Sequence, residues 1–497
     1  MERLSRRLVE NVSRYPERVL QFGEGNFLRG FVDWQIDLLN KQAEFNGSVV
    51  VVQPNGQDKV KKINDQDGLF TLYLQGIKDG KAVKEHSIIS CISRCLNLFT
   101  DYDEFTKLAT NPDLRFIFSN TTEVGIAFNE MNRLEDRPQS SFPGKLTSFL
   151  YHRYQAFNGD TEKGFIIIPC ELIDRNGEKL KEIVLQYAVL WELGEDFIEW
   201  VHEANTFCCS LVDRIVPGYP RDRMEEITQE LGYKDELVVV GEQYHLWVIE
   251  GPAWIREEFP VEKVGLNTLF VEDMTPYRTR KVRILNGAHT ALTPVSYLYG
   301  LDTVAESVKH EVVGRFVKEL IHDEIIPTLD LPPRELRSYA HAILERFENP
   351  YIKHFLLSIS LNSISKYKTR NLPSLLEFYE RTQELPEKTV FSLAALISFY
   401  KGKRGEEAIE LSDELTVIEL FREQWRLYDG TRDSVQSIVT NVLGLERSWG
   451  CDLNGVPGLN DAITTYVFDI ETKGMKQALE AVLNNTDKKM GESYNVR

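Results

Sequence analysis

Four short, mostly apolar runs punctuate the first 170 residues: Arg18–Phe22, Ser48–Val52, Leu114–Phe118 and Phe165–Ile168. They are too short for helices and lack a polar face, which predicts strands buried on both sides of a sheet. After the first run, Phe27, Phe31, Trp34 and Leu38 recur at helical spacing. Leu69–Ile92 instead alternates about Lys78-Asp79-Gly80-Lys81, a hairpin turn signal. Helical patterns cover Glu178–Leu193 and Glu195–Ile215, the latter holding Asn205, Cys208, Cys209, Asp213 and Arg214, and two further strands fall at Glu236–Val240 and His245–Glu250. Leu266–Tyr277 reads as a hinge, and beyond Pro276 the patterns are helical, with breaks at Pro294, Pro327, Pro332-Pro333, Pro350, Pro373 and Pro386. The predicted fold is therefore α/β. A Rossmann-like dinucleotide-binding domain spans 1–275 and a mainly α-helical substrate and catalytic domain spans 276–497.

Each apolar run ends in a polar loop. The first enters Gly23-Glu24-Gly25-Asn26-Phe27, and strand, glycine turn and helix together make the arrangement in which backbone N–H groups receive a pyrophosphate. A full G-x-G-x-x-G would place glycine at 28, where Leu28 stands, so the turn alone fits a dinucleotide loop and a plain tight turn equally. The second strand leads to Gln53, with Asp58 several residues on and no basic side chain before Lys59. An acidic group there would accept the ribose hydroxyls of NAD. The third leads to Asn120, Thr121, Thr122 and Glu123, residue types that also serve as caps and turns. The fourth leads to Glu171 and Asp174, either of which could cap the helix that follows. Ligands bind outside the carboxyl ends of strands in open α/β sheets, so these loops are expected to line one crevice.

Composition narrows the class. With 497 residues, 42% hydrophobic and 27% charged, the chain is a globular protein of more than one domain. A formal charge of −18 argues against a nucleic-acid partner, which needs a concentrated basic surface. Cys91, Cys95, Cys170, Cys208, Cys209 and Cys451 form no CxxC pair and no zinc spacing, and read as reduced thiols; Cys208 and Cys209 sit among apolar residues and are expected in the core. The charged M-E-R-L-S-R-R start is no signal peptide, and the longest apolar run, Val390–Tyr400, is too short to span a bilayer. A cytoplasmic protein with no membrane partner is expected; the oligomeric state is not legible.

The chemistry concentrates at Arg280–Thr290, R-K-V-R-I-L-N-G-A-H-T. On α-helical winding, His289 and Asn286 fall ~80° and ~140° from Lys281, on one side of the cylinder. An amine, an amide and an imidazole can remove a proton from an alcohol and hold the developing oxyanion without a metal. The same trio on a helix is more often a solvated face, but Val282, Ile284, Leu285 and Ala288 surround it. Gly287 costs about 1 kcal/mol in a helix relative to Ala, which often marks close approach of another backbone or a ligand. A lysine base needs positive neighbours or burial to work near neutral pH; Arg280 and Arg283 are the candidates. Ser365–Arg370, S-K-Y-K-T-R, is a basic patch in an acidic chain, either a solvated face or a seat for a carboxylate through Lys366 or Arg370.

Lys281, Asn286 and His289 match K-x4-N-x2-H, and with it the chain resembles the mannitol dehydrogenase family, the polyol-specific long-chain dehydrogenases and reductases. The resemblance runs through Gln21–Asn40, Ser119–Ile126, Ile166–Asp174, Leu211–Val216, Leu285–Leu292 and Asn349–His354, nearly the whole chain. It implies NAD as cofactor, with Gly23, Gly25, Phe27 and Arg29 matching the G-x-G-x-F-x-R cofactor loop; Asn26 within it and the strand-end residues Gln53, Asn120, Thr121, Thr122 and Glu123 are expected to complete the site. It implies Lys281, Asn286 and His289 as the catalytic set for metal-independent hydride transfer between a keto sugar acid and its alcohol; Glu171 and either Lys366 or Arg370 are the expected substrate contacts. Members tend to carry asparagine where this chain has Leu172, which would shift the oxygen-binding load onto Asn286 and His289. An epimeric sugar-acid pair (fructuronate and mannonate), a neutral polyol substrate, or a catalytically silent nucleotide or sugar-acid sensor stands as the alternative.

Overall fold

The computed structural model describes residues 1–9, 12–53, 58–78, 80–121 and 125–494, without the side chains of Asp58 and 486–494. The chain divides into two compact units, Met1–Gly76 with Val83–Met274, and Ile77–Ala82 with Thr275–Arg497.

The first unit is built on six strands: β1 (Glu17–Phe22), β2 (Ser48–Gln53), β3 (Ile92–Asn97), β4 (Phe116–Ser119), β5 (Ile166–Pro169) and β6 (Thr206–Phe207). Their order is β3-β2-β1-β4-β5-β6 and every pairing is parallel. This is the doubly wound Rossmann order, with its switch point between β1 and β4. Because side chains alternate along a strand, the apolar runs feed two cores. Val19, Val49, Val51, Phe116, Phe118, Ile166 and Ile168 face one. Leu20, Phe22, Val50, Val52, Ile117 and Ile167 face the other. Full burial of each such side chain stabilises the fold by about 1.5–3 kcal/mol. Helix α1 (26–42) covers the first face through Phe31, Val32, Ile36 and Leu39. Helices α2 (Phe142–Ala156) and α3 (Asn176–Leu190) cover the second through Leu146, Phe149, Leu150, Leu180 and Val184.

Several predicted elements differ. The hairpin is present as Phe70–Lys78 and Lys81–Ile89, but Ile92 onward belongs to β3, the sheet's edge. The predicted helix Glu195–Ile215 ends at Ala204; β6 and a strand at Cys209–Asp213 follow, because pairing with β5 and with Leu246–Glu250 outweighs local helical pattern. Cys208 and Cys209 are buried there. The stretch read as a hinge contains a strand, Thr268–Val271, paired in parallel with Leu246–Glu250.

The second unit is helical apart from the strand ends it takes from the hairpin within Ile77–Ala82 and a two-residue strand pair at Lys403–Arg404 and Glu407–Ala408, among the described residues. Helix α4 (275–299) carries the chemistry-bearing stretch, and α5 (Pro333–Phe347), α6 (Ser363–Arg370) and α7 (Leu372–Thr382) follow. The run read as too short to span a bilayer forms α8 (Glu387–Phe399), apolar nearly all round because it packs against both α4 and α9 (Leu459–Lys473). Among the described residues no helix is long and apolar enough to cross a membrane.

Candidate active site

In the first unit the site is built at the carboxyl ends of β1, β4 and β5. Gly23 follows β1 with φ +121°, and a Cβ there would stand 3.0 Å from the Asn120 carbonyl oxygen and 3.2 Å from Leu28. Only glycine fits that corner. Gly25 caps α1 in extended conformation, and a Cβ on it would meet nothing within 4 Å. That open cradle at a helix N-terminus fits a pyrophosphate, which needs bare backbone N–H groups and room. Phe27 stacks on Phe31 with centroids 5.0 Å apart. Gln53 closes β2, buried.

Arg29, expected in the cofactor loop, is turned toward the protein's own acceptors. It is buried under the turn, where its guanidinium donates to the Glu24 carbonyl at 3.3 Å, the Leu237 carbonyl at 2.5 Å and Asn26 Oδ1 at 2.6 Å. Asn26 is thereby turned into the loop's own fabric. Burial lowers the Arg29 pKa to about 10. Both residues hold the shape of the turn. The segment Arg29–Asp33 winds as a π-helix, a one-residue widening often found at functional sites.

Glu171, expected as a substrate contact, also bonds to the protein's own loops. Its buried carboxylate accepts from Ser119 Oγ at 3.0 Å, the Thr121 backbone N–H at 3.0 Å and Thr121 Oγ1 at 3.1 Å. It clamps the loop after β4 to the loop after β5, with both oxygens engaged. Burial is the largest influence on its pKa and raises it, against those hydrogen bonds. The residue before α3 is Arg175 in left-handed conformation, whose own side chain makes no cap. Leu172 is 64% exposed. Thr122 and Glu123 lie outside the described residues, as do Pro54–Gln57 and the Asp58 side chain.

In the second unit Lys281–Asn286 also winds as a π-helix inside α4. The bearings expected from α-helical winding therefore do not hold across this segment, since each π turn carries more residues. From Gly287 the helix is α again. A Cβ on Gly287 would lie 3.4 Å from the Arg370 carbonyl oxygen and 3.5 Å from the Asn371 amide nitrogen, ordinary contact distances. Another backbone does approach closely here, but the space does not demand glycine.

The neighbours of Lys281 differ from expectation. Arg280 pairs with Glu335 at 2.5 Å and lies over the rings of Tyr339 and Tyr277 at 4.2 and 5.1 Å, so its charge is engaged elsewhere. Burial lowers the Arg283 pKa, and the Glu377 carboxylate opposes that shift.

His289 stacks on Phe347 and meets His354 edge-on, with centroids 5.0 Å apart. Its Nε2 is sealed from solvent without a partner among the described residues. Burial first, then the positive neighbours His354, Arg346 and Arg370, hold its pKa well below the usual histidine value. Arg370 donates to Thr290 Oγ1 at 3.2 Å, next to His289 in the chain, and its pKa is lowered by burial alone. Lys366 donates to the Ile359 carbonyl at 2.8 Å; burial lowers its pKa, Arg370 adding to the effect and Asp413 opposing it. The result is a neutral imidazole with His354, Arg346 and Arg370 about it. Phe347, Arg346, His354 and Asn371 were not singled out as site residues from sequence; His354 alone carried a hint, as the last residue of the Asn349–His354 block.

Glu178, Cys209 and Glu250 of the first unit offer ligand atoms within 4.8 Å of one another, the one such group among the described residues. Arg175 already donates to both carboxylates there, so the negative charge is matched by a guanidinium.

Comparison with known proteins agrees with this architecture. Residues 17–263 match the mannitol dehydrogenase Rossmann domain and 273–471 its C-terminal domain. The chain belongs to the mannitol dehydrogenase family. It is 58% identical to altronate oxidoreductase of Bacillus subtilis (strain 168), covering 97% of this chain and 98% of that protein. It is 47% identical to altronate oxidoreductase of Klebsiella pneumoniae (strain 342), covering 94% and 97%. Among solved structures it resembles substrate-free D-sorbitol dehydrogenase, with TM-score 0.78 at 22% identity over 96% of this chain and 100% of that one. It also resembles Pseudomonas fluorescens mannitol 2-dehydrogenase in complex with NAD and D-mannitol, with TM-score 0.67 at 20% identity over 97% and 99%. The chain is thus a dehydrogenase acting on CH–OH groups.

Proposed function

We propose that this enzyme interconverts D-tagaturonate and D-altronate with NAD, without a metal. The observation that carries the substrate is the 58% identity, over 97% of the chain, to an altronate oxidoreductase. The carboxylate of such a substrate finds support in Arg370: burial alone shifts it, and its hydrogen bond goes to a hydroxyl. An arginine held that way favours a carboxylate, which it can bind bidentately. Arg370 suits this role better than Lys366, whose ammonium already serves the Ile359 carbonyl. A neutral polyol would leave the Arg370 charge unanswered.

The cradle at Gly23 and Gly25 would hold the pyrophosphate, and the bound nicotinamide supplies or takes the hydride. NAD is favoured over NADP because Lys59, the first basic side chain after β2, reaches Glu24 at 3.7 Å and is partly neutralised. In the reducing direction the Lys281 ammonium gives its proton to the ketone oxygen as that carbon gains hydride. In the oxidising direction neutral Lys281 takes the hydroxyl proton. Asn286 and neutral His289 donate to the same oxygen, each contributing on the order of 3 kcal/mol to the transition state.

The test is NADH consumption by purified enzyme offered tagaturonate, fructuronate and fructose separately, with EDTA present. Turnover with tagaturonate alone is expected. Turnover with fructuronate alone would replace the substrate with its epimer, and turnover with fructose alone would remove the carboxylate role of Arg370. No turnover of any ketose with NADH or NADPH would favour the silent sensor.

A further inference from the structure

The change from π to α winding inside α4 falls between Asn286 and Gly287, the residues between Lys281 and His289. Where that change falls sets the bearing of His289 relative to Lys281: a residue in π winding turns less than the ~100° of an α residue, so moving the change by one residue would rotate everything beyond it by roughly 15° about the helix axis. Nothing in the local sequence fixes the position. The corner between α6 and α7 meets the helix at this point: Asn371, 1% exposed, donates from Nδ2 to the Gly287 carbonyl at 2.9 Å. The preceding residue, Arg370, donates to Thr290 Oγ1 about one turn further on. The other amide atom, Asn371 Oδ1, is buried with no hydrogen-bond partner among the described residues, so the bond to Gly287 is what orients this side chain. Burying an amide with one atom unsatisfied costs about 1–3 kcal/mol, a cost that a purely space-filling residue would avoid.

We propose that Asn371 is a positioning residue for the reaction: its amide pins the π-to-α change at Gly287 and so sets Asn286 and His289 against Lys281. The inference rests on the reading of Lys281, Asn286 and His289 as the reacting side chains. Asn371 itself touches neither substrate nor cofactor. Displacement of reacting groups by about 1 Å is enough to cost ~100-fold in rate, and the effect falls on turnover because the NAD cradle belongs to the other unit.

Asn371→Ala and the isosteric Asn371→Asp separate this role from simple packing. The alanine variant should lose ~10- to 100-fold in kcat with the KM for NADH unchanged. The aspartate can donate to Gly287 only while protonated, and its burial raises its pKa into the working range. Its kcat relative to wild type should therefore be highest at acid pH and fall as pH rises, a limb that the alanine variant lacks. Wild-type kcat in Asn371→Ala, or a kcat ratio for Asn371→Asp that does not change with pH, would overturn the proposal while leaving the function intact. If the wild-type enzyme turns over no ketose, the functional reading fails first, and this inference with it.

Discussion

The imidazole of His289 lies against the ring of Phe347, centroids 4.2 Å apart and planes 24° from parallel. The stack shields one face of the imidazole, and burial together with His354, Arg346 and Arg370 keeps it neutral. Ketone reduction should therefore show no acid limb from this ring near its ordinary pKa of about 6.5. The sign for stability follows: below about pH 6.5 the unfolded chain takes a proton that the native ring refuses, so stability falls as pH drops. Melting temperatures at about pH 7.5 and 5.5 should differ less in His289→Phe than in wild type. An equal drop would mean that the ring is protonated in place. The same variant should lose ~100-fold or more in kcat.

Lys281→Ala should lower kcat by at least ~100-fold, the scale of general acid–base catalysis. NADH affinity should stay nearly intact, because the glycine turn and its supports lie in the first unit. Tryptophan quenching by NADH can report that affinity apart from turnover. Near-normal turnover would remove Lys281 from the mechanism.

Arg370 and Lys366 stand on one helix yet differ in what they are free to do. Arg370→Ala should raise the KM for the uronate ~10-fold or more, the loss of a charge-assisted pair of about 1.5–3 kcal/mol. Lys366→Ala should change it by less than ~3-fold, its ammonium being tied to the Ile359 carbonyl. Steady-state KM values for the acid in the two variants decide, and the reverse ranking would move the carboxylate seat to Lys366.

The parts of the fold most legible in sequence were those buried on both sides. Strands β1, β2, β4 and β5 lie within two residues of the apolar runs, since a strand covered on both faces has no polar positions to blur it. The misread elements are those fixed by distant partners: β3 goes unread beyond Ile92, the end of the predicted hairpin, and Thr206–Phe207 and Cys209–Asp213 are read as helix. The π windings at Arg29–Asp33 and Lys281–Asn286 have no compositional mark, differing from α-helix by one step of hydrogen-bond register. The same limit applies to the site. Lys281, Asn286 and His289 stand close in sequence and were visible together, whereas Phe347, His354 and Asn371 reach this helix from elements well downstream. Arg29 and Glu171 have the right chemistry for ligand contacts, and only burial and named partners show that they bind the protein's own loops.

Asp33, on the π segment of α1, is fully buried beneath the glycine turn. Gln21 donates from one amide nitrogen to Asp33 Oδ2 at 3.2 Å and to the Gly23 carbonyl at 3.1 Å, so the carboxyl is linked to the cradle. Asp33 Oδ1 and Gln21 Oε1 are buried acceptors without partners among the described residues. Burial pushes the Asp33 pKa up to about 7, against the Gln21 hydrogen bond and Arg29. An unfolded aspartate titrates near 3.9, so between these values the native state holds the extra proton and stability falls as pH rises, levelling above about 7. An asparagine in its place would carry no charge at any pH and would still accept from Gln21. Asp33→Asn should therefore melt higher than wild type at about pH 8, with the gap closing toward pH ~4, and the KM for NADH should change little. A variant that melts lower at alkaline pH would mean that the ionised carboxylate is stabilised in place, and Arg29 would then be its counter-charge.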